Sequence, residues 1–280
     1  MSDVTGADLR ELAQGFARFY ERHYGPGGKM PELVSKGQAP KYAAFMCSDS
    51  RTPDSIFDQG PGGVFVPGRS TGALYRGYGV DLTHDSGIEY AVDHLKVSHL
   101  MVVAHYACGF IKGLVGMKED QMRGILPDLS RPLPQLMNDC EPFYKRVRQR
   151  FNSLSGCRDC DSHHRHVVEE SARWSHENFM THPSVARSVR EGRLTTWALV
   201  DDMEAGELLV MNPSTQQFLP LFQHSNPAVV PIMAPHCAAV HLANRPHDRF
   251  DAFKDTVGCA PGKSPLHGIP QHTRPSLVAG

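Results

Sequence analysis

The chain has 280 residues, 40% of them apolar and 21% charged, which fits one large α/β domain with extensions or two small domains. Lys plus Arg (29) nearly cancels Asp plus Glu (30) for a net charge of -1, so there is no electrostatic case for a nucleic-acid partner or an anionic membrane. No stretch approaches the roughly 20 apolar residues of a membrane span, and an N-terminus with no apolar signal core is expected to be mature, cytoplasmic sequence.

The N-terminal "MSDVTGADLRELAQGFARFY" sets Leu9, Leu12, Phe16, Phe19 and Tyr20 on one side of a helix. "HYGPGGKMPELVSKGQAPK" follows as a Gly- and Pro-rich connection. Residues 41–46 read as a short buried strand ending at Cys47, the "GPGG" of 60–63 as a turn, and 64–66 as a second strand. "DSGIEYAVDHLKV" is a helix with Ile88, Ala91, Val92 and Leu95 on one face, and Ser86 with Glu89 predicts a capping box at its start. The unbroken apolar run at 99–104 is a strand of the kind buried on both faces of a parallel sheet, and "HYACGFIKGLVG" turns from it into another helix. Residues 121–166 read as mostly helical or irregular. A helix near 167–180 and a short one in "HPSVARSVREG", stopped by Gly192, come next. Residues 194–200 and 207–211 make a fourth and a fifth strand; beyond Asn212 the periodicity decays. Strands separated by helices at this spacing predict right-handed βαβ crossovers. The fold class is therefore α/β: a mainly parallel central β-sheet flanked by helices, with an N-terminal helical arm and an irregular C-terminal tail.

Seven cysteines in a chain read as cytosolic argue against a disulfide framework, and sixteen histidines, several near cysteines, make metal the first question. Cys47 ends the first strand, and His105 and Cys108 lie at the end of the third. Ligands gather beyond the carboxyl ends of strands in open parallel sheets, so two thiolates and one imidazole can converge there. That donor set favours zinc, and three protein ligands leave a fourth tetrahedral position open for catalysis. Asp49 has two readings. It ligates the metal and closes the site, or Arg51 holds it in a bidentate pair and keeps it away. The ordinary alternatives are a buried structural thiol at Cys47 and a plain ion pair at a strand end.

At these residues the sequence resembles the β-class carbonic anhydrases. The resemblance runs through "GQAPKYAAFMCSDSR", "SGIEYAVDHLKVSHLMVVAHYACG" and "NFMTHPSVARSVREGRLTTWALVDDMEAGELLV", covering most of 34–211 in order. It implies Zn2+ held by Cys47, His105 and Cys108, with Asp49 and Arg51 as a dyad beside it and Gln38, Arg69 and Gly72 in the substrate pocket. It implies reversible hydration of CO2 to bicarbonate and a proton through zinc-bound hydroxide. It also implies a homodimer or higher homo-oligomer in which the N-terminal helices embrace the partner subunit. The organisation expected is an N-terminal helical arm (1–33), a zinc domain (34–211, with an insert at 121–166) and a C-terminal extension (212–280). The sequence departs from the family pattern in "FVPGRSTGA", where one residue is inserted before Arg69 and Ser70, Thr71 and Ala73 replace the usual partners. Those departures keep two alternatives in view: hydrolysis of another heterocumulene (CS2 or COS), and a catalytically inactive zinc-binding regulatory protein.

"CRDCDSHHRH" offers Cys157, Cys160, His163 and His164 or His166 as a second, structural zinc site, against a His-rich loop. His94 and His99 read as surface or core histidines. Cys140, Cys237 and Cys259 have no useful partners by spacing.

Overall fold

The computed structural model of the protein describes residues 7–116, 136, 139–152 and 161–221. They belong to one compact unit, Met1–Met233. Its centre is a seven-stranded sheet of β1 (Tyr42–Cys47), β2 (Val64–Phe65), β3 (Arg69–Ser70), β4 (His99–His105), β5 (Thr195–Asp202), β6 (Glu207–Met211) and β7 (Phe218–Pro220). The strand order is β2-β1-β4-β5-β6-β7, with β3 also paired to β1. Pairing is parallel from β2 and β3 through β1 and β4 to β5, then antiparallel to β6 and β7. The helices are α1 (Ala7–His23), α2 (Met30–Lys36), α3 (Leu82–Glu89), α4 (Gly109–Gly116), α5 (Glu141–Asn152), α6 (Asp161–Phe179) and α7 (Pro183–Arg190). No helix among the described residues is long and apolar enough to cross a membrane.

The apolar runs of β1 and β4 are buried on both faces, as central parallel strands require. On one face Phe45, Val102 and Ala104 join Ile88 and Val92 and the α6 residues Val167, Val168 and Phe179 in the main core. On the other, Ala44, Met46, Met101, Val103, Leu199 and Val210 form a second cluster, with Phe57 and Leu221 packed against it. Because Cβ direction alternates along a strand, Phe45 and Met46 serve different cores from adjacent positions.

Two expectations about local structure change. The helix after β3 begins at Leu82 rather than at Ser86. Asp81 is its N-cap and accepts from the backbone N–H groups of Thr83 and His84, while the Ser86 hydroxyl donates to the Thr83 carbonyl, so there is no capping box. The same helix runs on through a wide turn at Tyr90–His94, where the Leu95 N–H reaches the Tyr90 carbonyl five residues back. The chain after Asn212 is also more regular than its composition suggests. Asn212 accepts from the N–H groups of Ser214 and Thr215, and the hairpin it closes returns as β7. The pattern's short helix is confirmed as α7, with Gly192 in the left-handed region behind it.

Candidate metal centre

β1 and β4 are neighbours in parallel register, Tyr42 opposite His99 through Met46 opposite Val103. Their carboxyl ends therefore emerge side by side, and Cys47 and His105 emerge with them. Cys108 is brought back by a reversal at Ala107, whose φ of 55° lies in the left-handed region that costs a non-glycine residue energy. Arg51 Nη2 donates to the Ala107 carbonyl at 3.1 Å, a contact that holds the reversal. The ligating atoms of Cys47, His105 and Cys108 lie within 4.8 Å of one another, and all three residues are buried.

The hydrogen bonds around this cluster suit a metal. His105 Nδ1 donates to the Tyr106 carbonyl at 2.9 Å, which leaves the Nε2 lone pair turned inward. Nε2 is buried with no hydrogen-bond partner among the described residues; an orphaned acceptor of this kind is costly unless something occupies it. A second nitrogen fixed to a carbonyl is the usual way a ligating imidazole is oriented. A hydrogen bond from the Cys108 thiol, helped by His105, pulls the Cys47 thiol well below its ordinary range. The same bond, with burial, pushes Cys108 up. One thiolate is thus already favoured, and a cation would stabilise the second.

Asp49 stands beside the cluster and is held away from it. Arg51 Nε and Nη2 donate to Oδ1 and Oδ2 at 2.9 and 2.7 Å, and the Arg51 N–H adds a third bond to Oδ1 at 3.0 Å. The Arg51 bonds hold the Asp49 carboxyl far below the usual carboxylate range. Oδ2 remains 3.7 Å from His105 Nε2. In this structure both Asp49 oxygens are bonded to Arg51.

Arg69 donates to the carbonyls of Cys47 and Thr52 and to Asp54, bracketing the turn that carries Asp49 and Arg51. It also lines a cavity of about 280 Å³ with Ser48, Thr71, Arg76, Asp81 and His84. Gly72, at φ 73°, is buried against Phe110 and Ile111 of α4, where a Cβ would come within 3.0 Å of Phe110. Gln38 is exposed ahead of β1, so the single chain does not bring it into the cluster. Cys157 and Cys160 and the side chain of His163 lie outside the described residues; His166 pairs with Glu169 at 3.7 Å. Cys140 is a buried free thiol.

Two residues near the centre escaped the sequence reading. Asp201 is the β5 partner of His105 in the sheet register. Burial raises its carboxyl, partly offset by the Thr52 hydroxyl and by His105. Thr52 is fully buried, close enough to stabilise that carboxylate yet without a hydrogen bond of ordinary length. A charge inside a strand was the available signal, but only strand pairing shows where it lies.

Residues 42–208, more than half of the chain, match the family model described as carbonic anhydrase. The chain belongs to the β-class carbonic anhydrase family. Among family members, a carbonic anhydrase of Pseudomonas aeruginosa is 29% identical over 77% of this chain and 93% of its own. Carbonic anhydrase 1 of Escherichia coli O157:H7 is 26% identical over 82% of this chain and all of its own. Among solved structures, the β-carbonic anhydrase CcaA superposes with a TM-score of 0.65 at 24% identity, over 76% of this chain and 99% of that one. A tetrameric β-carbonic anhydrase of Sordaria macrospora gives 0.57 at 23% identity, over 74% and 97%. These structures share the fold of this family member, the mostly parallel sheet with its flanking helices.

Proposed function

We propose that this protein catalyses the reversible hydration of CO2 to bicarbonate and a proton, with zinc held by Cys47, His105 and Cys108. The observation that carries the reading is the convergence of those three side chains within 4.8 Å beside an aspartate held off by its own arginine, in a member of the carbonic anhydrase family. Two sulfurs and an imidazole suit zinc better than a hard, oxygen-seeking cation. Zinc bound there would supply Lewis acidity, making a water nucleophilic near neutral pH.

The remaining work falls to the chain's own residues. His105 presents Nε2 because the Tyr106 carbonyl fixes Nδ1. Arg51 occupies both Asp49 oxygens, so the carboxylate does not compete for the fourth ligand position. Asp49 Oδ2 keeps acceptor capacity beside the ligands and can take the hydrogen bond of the attacking water, turning a lone pair toward the carbon of CO2. Arg69 keeps the Cys47–Thr52 turn in place through its two carbonyl contacts.

The N-terminal arm supports a homo-oligomer. Leu12 and Phe16 of α1 are 68% and 60% exposed, and Leu9, Phe19 and Tyr20 add to the same apolar face. Contiguous apolar surface of this sort marks an interaction site, and a second copy of the chain is the occupant we assign to it.

Stopped-flow CO2 hydration by the zinc-loaded chain tests the activity, with Cys108→Ser as the paired variant. The native chain is expected to hydrate CO2 and the variant to lose both zinc and turnover. Stoichiometric zinc in a native chain that leaves CO2 at the uncatalysed rate would sink the reading.

A further inference from the structure

The segment after β3 has little regular structure, yet it is buried, and its backbone groups must be paired somewhere. They are paired by one side of α6 and the turn that follows it. Ser175 Oγ, fully buried, donates to the Ala73 carbonyl at 2.9 Å and accepts from the Tyr75 N–H at 3.1 Å. One turn on, Asn178 Nδ2 donates to the Tyr75 carbonyl at 2.9 Å. Thr181 Oγ1 accepts from the Tyr78 N–H at 2.9 Å. Side chains at i, i+3 and i+6 thus read the backbone of 73–78 much as a neighbouring strand would.

This segment reaches both halves of the metal centre. Upstream, Ser70 is the β-partner of Cys47 and its carbonyl accepts from the Ser48 N–H at 3.0 Å, while Arg69 holds the Cys47 carbonyl. Downstream, Gly72 rests on Phe110 and Ile111, in the helix that starts just after Cys108. Between these contacts the chain bends through two successive left-handed residues, Gly72 at φ 73° and Ala73 at φ 53°. Ala73 has no glycine freedom to hold that conformation, and such a residue persists only where its surroundings over-determine it. Ser175 is the group that takes its carbonyl.

We infer that Ser175, with Asn178 beside it, is a positioning residue for the metal centre. It clamps the 72–75 bend and thereby sets the spacing between the Cys47 strand end and the Cys108 helix. The inference rests on the metal-centre reading given above. Cobalt(II) in place of zinc provides a test separable from catalysis, because its visible bands respond to ligand geometry. Ser175→Ala is compared with Ser171→Ala, a control that removes another fully buried hydroxyl of the same helix, one that among the described residues bonds only its own helix, through the Val168 carbonyl. Asn178→Ala covers the case in which Ser175→Ala does not fold.

Ser175→Ala, or Asn178→Ala in its place, is expected to shift the cobalt bands and lower kcat/KM about tenfold or more with one metal still bound per chain. Ser171→Ala should leave bands and rate unchanged. Bands and kcat/KM that stay native in both clamp variants, with only the melting temperature lowered, overturn the assignment. So do bands that move equally in the control, and so does a native chain that takes up no cobalt. If the native chain binds cobalt with thiolate bands but does not hydrate CO2, the activity reading fails while the spectra still decide the clamp.

Discussion

Arg51 has the most to explain for a single side chain, since it bonds both oxygens of Asp49 and the carbonyl of Ala107. Its removal should cost on both counts. Arg51→Ala is expected to lower kcat/KM about 10- to 100-fold, the usual penalty for losing a group that orients a metal site's surroundings, with zinc content measured alongside to separate turnover from loading. The pair also has a pH signature. Arg51 places the folded-state pKa of Asp49 below its unfolded value, so the pair's contribution is complete above an unfolded pKa of about 3.9 and is lost only as pH falls through the lower, folded value. Carboxyl-carbon NMR should accordingly show Asp49 still ionised between about pH 5 and 3, where a free aspartate takes up its proton; a titration in that window would mean the pair is not formed. The dyad was legible in the sequence because its members are two residues apart and their contact is local. Asp201 was not, because only the pairing of β4 with β5 brings it opposite His105.

Helix α3 shows the corresponding lesson for an element. Ser86 and Glu89 have the spacing of a capping box, but Asp81 lies one turn earlier and takes the free N–H groups of Thr83 and His84. Local spacing could not rank two adjacent start signals; the extended backbone at Asp81 does. Asp81→Ala should therefore cost about 1 kcal/mol and Ser86→Ala less than about 0.5 kcal/mol, read from urea melts of the two variants. Equal losses would restore the Ser86 start. Strands β3 and β7 went unread for another reason: at two and three residues they are too short for a period of two to register. They exist because β1 and β6 offer free edges to pair with.

For the molecule as a whole, the parallel sheet and the meeting of Cys47 with His105 and Cys108 followed from strands alternating with helices, since parallel strands end on the same side. The apolar side of α1 was legible too, and a second copy of the chain is the occupant proposed for it. Leu12→Glu with Phe16→Glu should shift the sedimenting species to a smaller one in analytical ultracentrifugation, because two charges would be placed on the face assigned to a second copy. An unchanged sedimentation coefficient would move the contact elsewhere. The proposed chemistry itself belongs to Cys47, His105 and Cys108 and the aspartate paired with Arg51. Oxygen-18 exchange between labelled bicarbonate and water follows the two directions of that chemistry at equilibrium. The zinc-loaded native chain should strip label from CO2 far faster than the uncatalysed reaction, and Cys47→Ser should not. Label loss at the uncatalysed rate from a native chain with one zinc bound would contradict the proposal that Cys47, His105 and Cys108 form a carbonic anhydrase centre.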